Sequence, residues 1–289
     1  MNILITGGLG FVGSNLVAEF LATQHKVFVL DNYFTGTKDN RHEGANYTFG
    51  ETADIYNIYH DIKIDLIYHL GEYARVEQSF EDIDLVFKYN WNSIYQVLKL
   101  AKYLDAKLVY SGSSTKFGDD GTARYTSPYA YTKHANSELV KTYCEWFDIK
   151  YAITYFYNVY GKNEIANGKY ATVVAKFLEA KKQNQNATIV GTGKQRRNFT
   201  HIDDIIDGLV MVGLDGYGDG YGIGSAESYS IIDLANILKM KIEYLPQRKG
   251  NRESAPVLTD KTRSLGWKQK HNLQRYLEDQ LKLILDQSS

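Results

Sequence analysis

Short runs of aliphatic and β-branched residues alternate with longer amphipathic stretches through the first half of the chain. Ile3 to Thr6, Lys26 to Leu30, Leu66 to His69, Lys107 to Ser111 and Tyr151 to Tyr155 have the length and composition of buried strands. Between them, Phe11 to Ala22, Asp84 to Tyr103 and Tyr129 to Phe147 carry apolar residues at helical spacing. This alternation predicts an α/β fold, a parallel sheet covered by helices on both faces, with ligands bound beyond the carboxyl ends of the strands. From Asn158 onward the rhythm loosens. A helix is expected near Thr172 to Gln183 and a strand near Ala187 to Val190, with turn-rich tracts at Gly213 to Gly224 and Arg248 to Pro256. The pattern divides the chain into a larger α/β domain over 1–157 and a smaller C-terminal α/β lobe over 158–289, with the chain crossing between them more than once.

Composition narrows what such a fold can do. Apolar residues make up 44% of the 289 positions and charged residues 23%, a mix that supports a packed core and argues against disorder. The 33 Lys and Arg nearly cancel the 34 Asp and Glu, so no global positive field exists to gather nucleic acid or an anionic membrane. Cys144 is the single cysteine, which excludes an intramolecular disulfide, and its place in a periodic run reads as a helix packing position. The first strand begins at the amino terminus and no apolar run reaches membrane-spanning length, so a cytoplasmic protein is expected.

The first βα turn reads Gly7-Gly8-Leu9-Gly10-Phe11-Val12-Gly13. Gly7 permits a tight turn, Gly10 lets the backbone approach a pyrophosphate, and Gly13 lets the helix pack closely on the strand. The helix amino terminus at Phe11 and Val12 adds free N–H groups and a favourable dipole. A second strand ending at Asp31 places a carboxylate where it can bond an adenosine ribose and repel a 2′-phosphate, with neutral Asn32 beside it. Strand, glycine turn, helix and acidic strand end together make this a Rossmann-type, doubly wound site for NAD rather than NADP.

A second constellation carries chemistry. Tyr129-Ala130-Tyr131-Thr132-Lys133 opens a helix after Pro128, and the i, i+4 spacing puts Tyr129 and Lys133 on one face. A phenol titrates near ~10, but an adjacent ammonium and an oxidised nicotinamide both stabilise phenolate and bring it towards the working range. Tyr129 can then remove a hydroxyl proton as hydride leaves the same carbon. Ser111-Gly112-Ser113-Ser114-Thr115, after the strand that ends at Tyr110, offers hydroxyls to hold that oxygen.

In this order, with His69-Leu70-Gly71, Tyr89-Asn90, Asn158-Val159-Tyr160-Gly161 and Leu265-Gly266-Trp267, the motifs resemble the NAD-dependent epimerase/dehydratase family of nucleotide-sugar enzymes, the extended short-chain dehydrogenase/reductases. The resemblance implies a catalytic triad of Tyr129, Lys133 and Ser113, with Lys133 also on the nicotinamide ribose. It implies Glu51, Thr52 and Gly71 near the adenosine, and Asn90 and Tyr157 elsewhere along the cofactor. Ser113, Ser114 and Asn158 are the implied substrate contacts, joined by Arg197 in Gly191 to Asp204 and by Arg252 in Gly250-Asn251-Arg252-Glu253. Two guanidinium forks suit a diphosphate. Asp203 and Asp204 show no His or carboxylate partners at ligand spacing, so no metal is expected and their role is read as structural.

The reaction is narrowed by Ser114 and Thr115. In the family, 4,6-dehydratases carry an Asp-Glu pair at these positions and decarboxylases of nucleotide-linked glucuronate a glutamate at the second. Their absence leaves chemistry that needs hydride and one proton, of which 4-epimerisation of a UDP-sugar such as UDP-glucose or UDP-N-acetylglucosamine is the leading expectation. A 4-keto reductase or dehydrogenase would use the same residues, and a noncatalytic Rossmann binding protein is a remote alternative that the retained Tyr129 and Lys133 oppose. Lys116-Phe117-Gly118, the short stretch to Pro128, and Glu72 in place of a small residue depart from the family pattern. By the same resemblance, a homodimer is expected through the helices spanning Asp84 to Tyr103 and Tyr129 to Phe147, given an exposed apolar face on both.

Overall fold

The computed structural model of the chain describes residues 1–246 and 256–287. In chain order its first elements are β1 (Asn2–Thr6), α1 (Phe11–Ala22), β2 (Lys26–Asp31), β3 (Asn46–Phe49), α2 (Ile55–Tyr59), β4 (Leu66–His69), α3 (Ile83–Val86) and α4 (Asn92–Leu104). A π-helical turn over Phe87–Trp91 joins α3 to α4, so the stretch expected as one helix is interrupted. There follow β5 (Lys107–Ser113), α5 (Pro128–Trp146), β6 (Tyr151–Phe156), β7 (Val159–Tyr160), α6 (Val173–Lys182), β8 (Ala187–Val190), β9 (Arg196–Asn198) and β10 (Thr200–His201). The remainder is α7 (Ile202–Asp215), β11 (Gly218–Ile223), β12 (Ser228–Ser230), α8 (Ile231–Ile237), β13 (Ile242–Leu245), α9 (Asp260–Ser264) and α10 (Leu273–Asp286).

Seven parallel strands in the order β11-β6-β5-β4-β1-β2-β3 form the main sheet. The order reverses at β1, and the β1 and β4 ends flank the crevice in which an open α/β sheet binds its ligand. Helices cover both faces: α4 and α5 close one apolar core with Leu98, Leu108 and Ile153, and α1 and α7 close the other with Leu16, Val29 and Leu209. Gly7, at φ +70°, sits so close to the next crossover that an added Cβ would lie 2.8 Å from the Gly71 Cα, and a Cβ on Gly13 would lie 2.1 Å from the Gly7 carbonyl oxygen. Both glycines are therefore required by backbone approach.

The turn-rich reading of Gly213 to Gly224 needs correcting, because this tract holds the edge strand β11, which pairs with β6. Four of its six residues are Gly or Asp, which masks the strand; its pairing is non-local. Elements α7 and β11 return to the first sheet after the chain has already built β7 to β10. The second lobe has its own core, where Phe177, Ile189, Leu234 and Leu277 pack α6, β8, α8 and α10 together. Three two-stranded pairs, β7 with β10, β8 with β13 and β9 with β12, frame it. Among the described residues no helix is long and apolar enough to cross a membrane.

Candidate active site

A cavity of about 720 Å³ runs along the carboxyl ends of β1, β2, β4 and β5 and is closed on the far side by the second lobe. At one end lie Gly7, Gly10, Phe11, Val12 and Gly13, with Asp31, Asn32, Glu51, Thr52 and Gly71 beside them. No side chain caps the amino terminus of α1 at Gly10, so its first-turn N–H groups remain for an anion. The Asp31 carboxylate takes the Leu9 N–H at 2.9 Å and the Tyr33 N–H at 2.8 Å, one on each oxygen. Each oxygen keeps lone-pair capacity for a ribose hydroxyl. Burial pushes the Asp31 carboxyl up, and the two N–H bonds oppose that. Glu51 accepts from Asn32 and from Lys88, which fixes this part of the wall. A glycine cradle with no room for a Cβ, an uncapped helix start and an acidic strand end fit a dinucleotide.

Helix α5 begins with Ser127, whose hydroxyl accepts the Ala130 N–H, and Pro128 occupies the first helical turn. Tyr129 and Lys133 then face the cavity one turn apart. Ser113 ends β5, and its hydroxyl accepts from Thr115 Oγ1 at 2.9 Å; Ser113, Ser114 and Thr115 all line the cavity. From the second lobe come Asn158, held with φ at +38° and donating to the Asn198 carbonyl, and Arg197 on β9. The predicted reaction centre and the predicted nucleotide-sugar contacts thus share one chamber.

Two of the implied cofactor contacts, Asn90 and Tyr157, come out differently. Asn90 is wholly buried behind the wall, where its side chain bonds the Tyr73 N–H, the Tyr73 carbonyl and Thr132, so its polar atoms serve the fold. Tyr157 is also buried away from the cavity, its hydroxyl accepting the Leu258 N–H. Arg252 lies outside the described residues. Lys133, implied to hold a ribose, has its ammonium 2.6 Å from the Ser111 carbonyl oxygen and 2.5 Å from Glu72 Oε2.

Residues that the motifs left unassigned complete the chamber. Glu72, Arg75 and Glu164 all line it. Burial alone would push the Glu72 carboxyl up, but the Lys133 charge and the approach of His69 outweigh it and hold Glu72 at about 2. Glu164 has the opposite balance: burial pushes it up to about 7, against bonds from Thr172 and the Gly161 N–H. The Arg75 guanidinium donates to the Tyr170 carbonyl at 2.9 and 2.6 Å and to the Ala74 carbonyl at 2.8 Å. Its charge faces Tyr129 and Glu164. Arg75 was within reach of sequence reasoning, since it follows the carboxyl end of β4, whereas Glu164 sits in a loop with no pattern around it.

Away from the chamber, His201, Asp203 and His271 gather with ligand atoms within 4.8 Å of one another, which corrects the view that the Asp203-Asp204 pair has no histidine partners. His271 is too far along the chain for spacing to reveal it. Asp204 is structural, as its buried carboxylate accepts the N–H groups of Lys270 and His271.

Comparison with known proteins agrees with this architecture. The model of the NAD dependent epimerase/dehydratase family matches residues 3–224. A Methanocaldococcus jannaschii protein provisionally assigned as a UDP-glucose 4-epimerase is 28% identical over 92% of this chain and 92% of its own length. Zebrafish (Danio rerio) UDP-glucuronic acid decarboxylase 1 is 27% identical over 92% of this chain and 68% of its own length. The solved UDP-glucose 4-epimerase of Thermotoga maritima with UDP-glucose superposes with a TM-score of 0.92 at 23% identity, covering 100% of both chains.

Proposed function

The chain belongs to the NAD dependent epimerase/dehydratase family, and from that premise we propose that it is a nucleotide-sugar 4-epimerase working through a transient 4-keto sugar. The observation that carries the reading is the composition of the chamber wall: Tyr129, Lys133 and Ser113 stand together, with hydroxyls alone at Ser114 and Thr115. Gly7, Gly10 and Gly13, the start of α1, Asp31 and Asn32 would hold NAD, which when bound supplies the hydride acceptor and donor.

The protein's own residues do the rest. Ser113 holds the sugar hydroxyl through a hydrogen bond while the Tyr129 phenolate takes its proton, and Tyr129 returns that proton once the keto sugar has turned its other face. Lys133 keeps the phenolate near in energy to the phenol. Arg197 and Asn158, anchored on the second lobe, grip the diphosphate side and leave the sugar room to rotate. The starting and final redox states are the same, so the reaction needs no second substrate.

Purified protein incubated with UDP-, GDP-, dTDP- and CDP-sugars, without added cofactor, and followed by NMR is expected to interconvert a pair of C4 epimers, with Tyr129→Phe inactive. Conversion that starts on adding NADH or a 4-keto sugar would move the assignment to a reductase or dehydrogenase. Loss of water would make it a dehydratase.

A homodimer belongs to the same proposal. Phe87, Trp91 and Tyr95 leave large apolar surface exposed along α3–α4, and Tyr131, Trp146 and Phe147 do so on α5, with Trp91 stacked on Tyr131. A contiguous aromatic face of this kind is unusual on a monomer. Sedimentation is expected to give twice the chain mass, and Tyr95→Glu to halve it.

A further inference from the structure

Glu72 has no part in the chemistry above, yet it lies against the one ammonium that chemistry needs. Its side chain is fully buried, and Lys133 Nζ approaches Oε2 to 2.5 Å. The Tyr110 hydroxyl on β5 donates to the same oxygen at 2.9 Å, and Asn136 Nδ2 on α5 donates to Oε1 at 2.9 Å. From β4, His69 Nε2 stands 3.5 Å from Oε1. The direction of that contact follows from its neighbours. Thr6 Oγ1 already accepts the N–H groups of Leu70 and Gly71, so its own proton goes to His69 Nδ1 at 2.7 Å, leaving the Nε2 proton to face Glu72. Two secondary-structure elements, α5 and β5, thus supply three donors to one buried carboxylate, with His69 of β4 standing close by. That exceeds what packing a lysine requires, because Lys133 also bonds the Ser111 carbonyl.

We propose that Glu72 is a positioning residue that anchors Lys133 and, by offsetting its charge, sets the pH at which Tyr129 ionises; this rests on the reading of Tyr129 as the proton-transfer group. An isolated ammonium beside a phenol favours phenolate, whereas an ammonium with a carboxylate in contact presents the phenol with a dipole, whose field falls off faster. Glu72 therefore keeps Tyr129 protonated to a higher pH than Lys133 alone would. The other groups facing the pair or Tyr129 are few. Tyr110 is pushed far up by burial and by the charge on Glu72, so it stays a neutral donor; Asn136 and the Ser111 carbonyl are uncharged, and His69 approaches Glu72 from β4. Among the described residues, Arg75 is a further cation whose charge faces Tyr129.

The sign of two substitutions separates this role from simple scaffolding. Glu72→Gln removes the offsetting charge and is expected to lower the pH of Tyr129 ionisation by about one unit. Tyr110→Phe removes a donor that spreads the charge of Glu72, so more of that charge bears on Lys133, and the ionisation is expected to rise by about 0.3 unit. The measurement is a phenolate ultraviolet difference titration of each protein against its own Tyr129→Phe counterpart, with and without NAD, together with the pH profile of conversion. Opposite shifts establish the role. Unchanged titrations alongside lower melting or weaker NAD binding would reduce Glu72 to a scaffold, as would shifts in the same direction. Should Glu72→Gln not fold, Tyr110→Phe decides alone, a rise supporting the proposal and no change overturning it. Undiminished conversion by Tyr129→Phe would instead sink the catalytic reading itself, and the titrations tell the two failures apart.

Discussion

Two buried carboxyl groups belong to residues of the same chamber wall and have been driven in opposite directions. Glu72 is held at about 2 and Glu164 is raised to about 7, a separation that arises within one cavity wall. Both lose hydration. The difference is what replaces it: Glu72 gains an ammonium in contact and donors from Tyr110 and Asn136, whereas Glu164 gains a threonine hydroxyl, the Gly161 N–H and a more distant guanidinium. At Glu72 the contact charge outweighs desolvation, and at Glu164 the neutral donors do not. The chamber wall therefore carries one permanent carboxylate, buried behind it, and one carboxyl that changes state near neutrality. Such a split is a hallmark of sites that assign different tasks to like groups.

The largest test of the comparison removes the contact charge. Lys133→Met leaves Glu72 buried without its cation, the situation in which breaking one partner of an interior pair costs about 3–5 kcal/mol. In the wild type, Glu72 lies below its ordinary value of 4.5, so its stabilisation is complete above that pH and is lost as pH falls towards about 2. In Lys133→Met the balance inverts, because burial dominates and the carboxyl titrates upward. Denaturant unfolding is expected to show the full loss at neutral pH and a much smaller one near pH ~4. An equal loss at both would mean that packing of the lysine stem, not its charge, is what matters.

The next test works on the other carboxyl and has the opposite sign. Glu164 is raised from 4.5 to about 7, so the folded state binds a proton that the unfolded state has already released. Its contribution is complete below about 4.5 and is lost as pH rises through about 7. Glu164→Gln cannot titrate. The stability of the wild type relative to this variant is expected to fall by about 1–3 kcal/mol between mildly acidic and mildly alkaline pH, read as a shrinking difference in melting temperature. A difference independent of pH would show that Glu164 is ionised throughout.

What the sequence made legible follows the locality of each signal. The glycine turn, Asp31, and the Tyr129 to Lys133 spacing are written in adjacent residues and one helix turn, and the chamber brings them together. Strand β4 and helix α1 match their expected bounds because buried aliphatic runs need no partner to be recognised. By contrast, β11 is a glycine-rich edge strand defined by pairing with β6, and the cluster of His201, Asp203 and His271 is assembled by the fold from the start of α7 and the segment before α10. Glu72 stood out as a departure at a position where a small residue was expected, but its meaning depends on Tyr110, Asn136 and His69, which arrive from separate segments. Asn90 and Tyr157 show the converse: position in a motif implied a cofactor contact, while burial and their own hydrogen bonds turn them inward.

The smallest expected effect concerns Arg75, which links the two regions because its charge faces both Tyr129 and Glu164. Its hydrogen bonds all go to carbonyl oxygens, so removing it leaves no carboxylate stripped of a contact partner, and the loss of stability should stay near about 1–2 kcal/mol. The informative readout is titration. The Arg75 charge lowers Glu164 less than the bonds from Thr172 and the Gly161 N–H do, so Arg75→Met is expected to raise the Glu164 midpoint by about 0.3 pH unit, seen as a displacement of the pH–stability curve measured against Glu164→Gln. In the same variant Tyr129 loses a facing cation while Lys133 and Glu72 are untouched, so its phenol should ionise at slightly higher pH. Movement of both groups upward would establish that a single guanidinium biases the two regions together. Movement of Glu164 alone would confine Arg75 to the second and leave Glu72 and Lys133 as the charges that govern Tyr129.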